Sequence, residues 1–131
     1  MISVHADPRT VYPWYTGYAD EKGAGRGEGY NLNLVVPEHS GDGPYLEAVR
    51  TGIDAARKFG ADFLVLALGL DASENDPFAS MKVTTEGFRR MGEMLGGLRI
   101  PTVIEQEGGY PSPILGRNLI AFIEGFRGAA L

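Results

Sequence analysis

The chain has 131 residues, 44% of them hydrophobic, and its 12 Lys and Arg against 17 Asp and Glu give a net charge of −5 and a pI near 5.0. That is enough for one domain with one buried core, and it lacks the clustered basic residues that nucleic acid or an anionic membrane surface requires. With no cysteine, disulfides, thiolate zinc ligands and thiol nucleophiles are excluded, so any metal must be held by His, Asp, Glu or backbone oxygen.

Ile2 to His5 is a short apolar run that reads as a buried strand. Asp7 and Pro8 break it before it resembles a signal peptide, and no later run approaches membrane length, so the expected location is the cytoplasm. Asp7 to Gly29 is dense in Gly, Pro and aromatics with no period of two or 3.6, which predicts a long irregular loop. Its glycines at 23, 25, 27 and 29 spell neither the dinucleotide fingerprint nor a P-loop. Asn31 to Val36 predicts a second strand, and Pro37 to Pro44 a polar connection. A helix is expected from about Tyr45 to Phe59, with Leu46, Val49, Ile53 and Ala56 at helical spacing and Gly60 as its C-cap.

Asp62 to Gly69 is a continuous apolar run of strand length, the pattern of a strand covered on both faces by helices. Thr84 and Thr85 offer an N-cap for an amphipathic helix reaching about Leu98, with Phe88, Met91, Met94 and Leu95 on one face. Pro101 to Gln106 predicts another strand, and about Ser112 to Phe126 a final helix. Apolar strands alternating with amphipathic helices predict an α/β fold with a parallel sheet of about four strands flanked by helices, with ligands at the carboxyl ends of the strands.

Two features fall at that edge. Asp71 lies two residues past Gly69, where it is either a turn former or a functional carboxylate. Gln106-Glu-Gly-Gly-Tyr110 carries a tyrosine whose hydroxyl is suited to donate to a developing oxyanion; the alternative is a glycine turn with an aromatic on its rim. The aromatics of the first loop are suited to wall a narrow slot.

Taken in order, Ser3-Val-His5, Asp7-Pro8, Tyr12-Pro13, Gly23-x-Gly-x-Gly-Glu-Gly-Tyr-Asn31, Leu68-Gly-Leu-Asp71, Asp76-Pro77 and Glu107-Gly-Gly-Tyr110 resemble the latter half of acetylpolyamine amidohydrolases and histone deacetylases. The resemblance spans nearly the whole chain. It implies an arginase/deacetylase-like three-layer fold, of which residues 1–131 are a single partial domain, and zinc-dependent hydrolysis of N-acetyl amides of polyamines or lysine side chains. By position, Asp71 corresponds to a zinc-ligating aspartate and Tyr110 to the catalytic tyrosine that stabilises the tetrahedral oxyanion. Tyr12 corresponds to a wall of the substrate tunnel, Phe78 to its mouth and Gly109 to its floor, while Ser3 and Val4 fall where the family holds a monovalent cation, potassium.

The family's Asp-x-His and His-His motifs do not occur in this sequence, whose only histidines are His5 and His39. His5 is expected to make a structural hydrogen bond and His39 to be a solvated loop residue. In the family topology the Asp-x-His strand is expected between the strands at Ile2–His5 and Asp62–Gly69, which must therefore pair directly or leave edges exposed. Three functions follow as expectations. One is the C-terminal portion of a deacetylase acting on an acetylated amine, inactive until a complementing chain supplies the rest. A second is a non-catalytic binding or assembly module; apart from either function, edges left exposed predict self-association of the chain into homo-oligomers. The third is a small α/β binding domain unrelated to deacetylases.

Overall fold

The computed structural model describes residues 1–130. In chain order the elements are β1 (Ile2–Ala6), a 3₁₀ turn (Gly25–Gly27), β2 (Leu32–Val36), α1 (Asp42–Phe59), β3 (Leu64–Leu68), α2 (Thr85–Gly96), β4 (Thr102–Gln106) and α3 (Leu115–Ala130). The expected α/β alternation is present, and every strand pairing is parallel.

The sheet is divided, however. β1 pairs with β2 from Ile2 opposite Leu32 to Ala6 opposite Val36, and β3 with β4 from Leu64 opposite Thr102 to Leu68 opposite Gln106. No Cα of β1 or β2 lies within 8 Å of one in β3 or β4, well beyond the ~5 Å spacing of paired strands. Of the two outcomes expected for β1 and β3, unpaired edges are the one realised. Both pairs nevertheless share one core, in which Ala6, Val36, Leu68, Leu70, Phe88, Met91 and Phe122 are buried together. The loops after β2 and β3 are also joined: the His39 N–H donates to the Ser80 carbonyl at 2.7 Å and the Lys82 N–H to that of Ser40 at 2.8 Å. The carboxyl ends of β2 and β3 therefore lie on one side.

α1 buries Tyr45, Leu46, Val49 and Ile53, and Gly60 caps it in the left-handed conformation at φ 74°. It begins three residues before the expected Tyr45, because Gly41 serves as N-cap and Pro44 falls in the first turn, where a residue without an N–H leaves no intrahelical hydrogen bond unmade. Asp42 also ties this end to α2, its Oδ1 accepting the Thr84 N–H at 2.8 Å and its Oδ2 the Thr84 hydroxyl at 2.7 Å. Thr84 in turn caps α2 as expected, its Oγ1 accepting the Gly87 N–H at 3.0 Å.

α2 and α3 cross backbone to backbone through glycines. A methyl group at Gly92 would overlap the Phe122 carbonyl oxygen, one at Gly96 that of Phe126, and one at Gly125 that of Arg89. β3 departs from its expected two-sided burial. Leu64 and Leu66 pack on the core, whereas Val65 is 66% exposed and Val103, its partner on β4, is 51% exposed. The covering helices here lie on one face only. No helix among the described residues is long and apolar enough to cross a membrane.

Candidate functional site

The β3–β4 ladder continues past both strands, with the Glu107 N–H donating to the Leu68 carbonyl at 3.1 Å and the Leu70 N–H to that of Gly108 at 2.9 Å. Asp71 is thereby set against the turn that leads to Tyr110. A methyl at Gly69 would stand 2.7 Å from Asp71 Oδ1, and one at Gly108 would overlap the carboxylate itself, so these two glycines make its seat. Burial holds the Asp71 carboxyl above the usual carboxylate range; its own backbone N–H opposes that shift and the nearby Asp76 carboxylate adds to it. A carboxyl whose folded-state pKa is raised loses stability as pH rises from its unfolded value, 3.8, through the folded one. Asp71→Asn is therefore expected to raise the thermal midpoint of the chain at pH 7, with the gain shrinking as pH falls toward that value. A lower midpoint at pH 7 would contradict this electrostatic picture.

Tyr110 follows two glycines. Gly109 has φ +125°, and a side chain there would press on Leu70 Cβ at 2.8 Å and Leu115 Cδ1 at 3.0 Å, so the turn admits glycine alone. The Tyr110 N–H donates to Asp76 Oδ2 at 2.9 Å, and its ring meets Phe78 edge to face, with centroids 4.8 Å apart and planes at 74°. Both rings are open to solvent, Phe78 more so. Asp71, Phe78, Gly109 and Tyr110 thus share the edge at which Asp71 and Tyr110 are expected.

Tyr12 lies in the β1–β2 loop, exposed, and its ring partner is Trp14 at 5.5 Å, not Phe78 or Tyr110. That loop is irregular as expected, and partly buried polar contacts hold it down. Glu21 Oε2 accepts the Gly17 N–H at 2.6 Å and the Tyr18 N–H at 3.0 Å, and the Asn33 side chain donates to the Tyr18 carbonyl at 2.9 Å. His5 Nε2 lies 2.7 Å from the Gly17 carbonyl and Nδ1 lies 2.8 Å from Ser3 Oγ. A carbonyl can only accept, so Nε2 carries the proton, and in the neutral ring Nδ1 accepts from the Ser3 hydroxyl. His5 is thus the structural hydrogen-bonding residue expected. Val4 packs toward the core, and exposed His39 lies 3.7 Å from Glu38.

A catalytic zinc ordinarily keeps three protein ligands. Among the described residues no group of three or more His, Asp or Glu is arranged to hold a metal, so Asp71 alone does not fit that requirement. Sequence reasoning missed two neighbours. Tyr45, in the first turn of α1, has its hydroxyl pushed up to about 12, chiefly by burial and then by the negative charge of Asp71. Asp76 is the other; its text was recognisable, but its bond to Tyr110 reaches across 34 residues and left no local signal.

Comparison with known proteins supplies the class. The histone deacetylase domain model matches residues 1–126, and the chain belongs to that family. It is 46% identical over 125 residues to an acetylpolyamine amidohydrolase of Burkholderia pseudomallei, covering 95% of this chain and 37% of that protein. Acetylpolyamine amidohydrolase 2 of Pseudomonas aeruginosa is 37% identical, with 98% of this chain and 37% of that protein covered. The crystal structure of acetylpolyamine aminohydrolase from Burkholderia pseudomallei superposes with a TM-score of 0.94 at 44% identity over 98% of this chain and 37% of that one. The chain therefore spans little more than a third of the length of these relatives. Family membership excludes the expectation of an unrelated α/β binding domain.

Proposed function

We propose that this chain, as a single partial domain over residues 1–131, is the C-terminal portion of a zinc-dependent deacetylase that hydrolyses N-acetyl amides of polyamines or lysine side chains. In this reading Asp71 is one metal ligand, Tyr110 donates to the oxyanion, and Tyr12, Phe78 and Gly109 line the substrate tunnel. The observation that carries it is the seating of Asp71 and Tyr110 on successive turns of one parallel strand pair, in a chain so similar to acetylpolyamine amidohydrolases. The remaining zinc ligands and the His-His pair come from an N-terminal portion, without which the chain is inactive. The reading includes a cytoplasmic location and a potassium ion held at the Ser3 hydroxyl and the Val4 carbonyl, the former having lone pairs left after its bond to His5.

The chemistry of this chain's own residues is limited but definite. A phenol hydroxyl at the strand edge donates a hydrogen bond that strengthens as negative charge grows on the attacked carbonyl oxygen, which lowers the barrier instead of merely binding substrate. The test mixes the chain with a segment bearing the Asp-x-His and His-His motifs and assays hydrolysis of an N-acetylated polyamine. Hydrolysis by the mixture and by neither part alone supports the proposal; none under any metal or substrate condition sinks it.

The exposed Val65 and Val103 face and the unpaired strand edges favour a second reading, a non-catalytic assembly module. The chain alone is then expected to self-associate at micromolar concentration, with a light-scattering mass at least twice 14.1 kDa. A stable monomer would remove this reading and leave the first intact.

A further inference from the structure

Asp76 is one of the few polar residues that the core takes in, at 7% exposure, and both of its carboxylate oxygens are used. Oδ1 accepts the Phe78 N–H at 2.9 Å, closing an Asx turn across Pro77, whose fixed φ and missing N–H suit the middle of such a turn. Oδ2 accepts the Tyr110 N–H at 2.9 Å from the loop after β4. One carboxylate therefore holds the main chain of both residues whose rings meet at the strand edge. Charge assistance makes these stronger than bonds between neutral groups. The anchor matters because Tyr110 follows Gly108 and Gly109, backbone with wide conformational freedom, and its N–H has no other partner.

We propose that Asp76 is the positioning residue of this site: it sets the Tyr110 main chain, and so aims the hydroxyl, while fixing Phe78 against the same ring. It does not itself touch substrate. The inference rests on the reading of Tyr110 as the oxyanion donor. Misplacement of a reacting group by about 1 Å can cost roughly 10²-fold in rate, which sets the scale of the effect.

Asp76→Asn keeps the shape but turns an NH₂ toward one of the two N–H donors, and Asp76→Glu keeps the charge one methylene further out. In the deacetylase completed by its N-terminal portion, Asp76→Asn is expected to lower kcat about 10–100-fold with KM little changed. Asp76→Glu is expected to recover part of the loss, and Asp76→Asn combined with Tyr110→Phe to be no worse than Tyr110→Phe alone. Full kcat in Asp76→Asn, or losses that multiply in the double variant, would overturn the proposal. If Tyr110→Phe leaves kcat unchanged, it is the underlying reading of Tyr110 that fails. A measurement independent of any variant uses amide hydrogen exchange in the unaltered chain. The Tyr110 and Phe78 amides are expected to exchange at least about tenfold more slowly than that of Gly109; equal rates would overturn the anchor directly.

Discussion

In the completed enzyme, Tyr110→Phe is expected to lower kcat by about 10²–10³-fold, the usual cost of removing one oxyanion donor. The substitution is clean. It deletes a single oxygen from a ring that remains edge to face with Phe78, and it leaves the main-chain bond to Asp76 untouched. Because the phenol is open to the solvent side of the edge and donates mainly to charge that develops during reaction, KM is expected to change far less than kcat. Steady-state kinetics on an N-acetylated polyamine check this. A kcat within about fivefold of the parent would show that Tyr110 is an aromatic rim and not an oxyanion donor, the very alternative that the Gly-Gly-Tyr text leaves open.

A large effect on stability is expected from Gly125→Ala. Helix propensity alone favours alanine over glycine by about 1 kcal/mol, which would make the change stabilising. The α2–α3 crossing reverses the sign. The added methyl would overlap the Arg89 carbonyl oxygen, and a backbone atom has no rotamer to move to, so the helices must part over Phe88, Met91 and Phe122. Overpacking of this kind costs typically 1–3 kcal/mol and occasionally more, a large share of the ~5–15 kcal/mol that stabilises a domain. Gly128→Ala on the same helix meets nothing within 4 Å and serves as the control, expected to be neutral or stabilising by up to ~1 kcal/mol. Urea midpoints at one fixed chain concentration separate the two, and equal midpoints would refute the close crossing.

Local rules carried much of the fold. Helical spacing of Leu46, Val49 and Ile53, the glycine at 60 and the threonine at 84 are each short-range signals, and each element they mark is where they put it. Boundaries failed where the deciding partner is remote or the chain resists the helix. α1 starts early at a residue whose side chain is bound to Thr84, 42 positions away, and α3 starts late, at Leu115, once Pro111 and Pro113 have been passed. The apolar run of β3 predicts two-sided burial, and this chain covers only one of its faces. Val65 has a side chain fit for burial yet is 66% exposed, on the face of β3 opposite the core.

The site divides in the same way. Asp71 and Tyr110 were legible because the end of a parallel strand is a place defined by sequence order. Gly108 was not legible as a seat, since the carboxylate that needs the space comes from another loop. Asp76, Tyr45 and the glycines of the α2–α3 crossing were likewise silent, because their meaning lies in contacts between segments far apart in the chain.

A divided metal site is tested most directly by zinc calorimetry on this chain alone and then on its complex with the N-terminal portion. The expected result is no stoichiometric uptake by the chain alone, one equivalent per complex, and loss of that equivalent in Asp71→Ala. Tight one-to-one binding by the chain alone, or undiminished binding by the complex carrying Asp71→Ala, would contradict it.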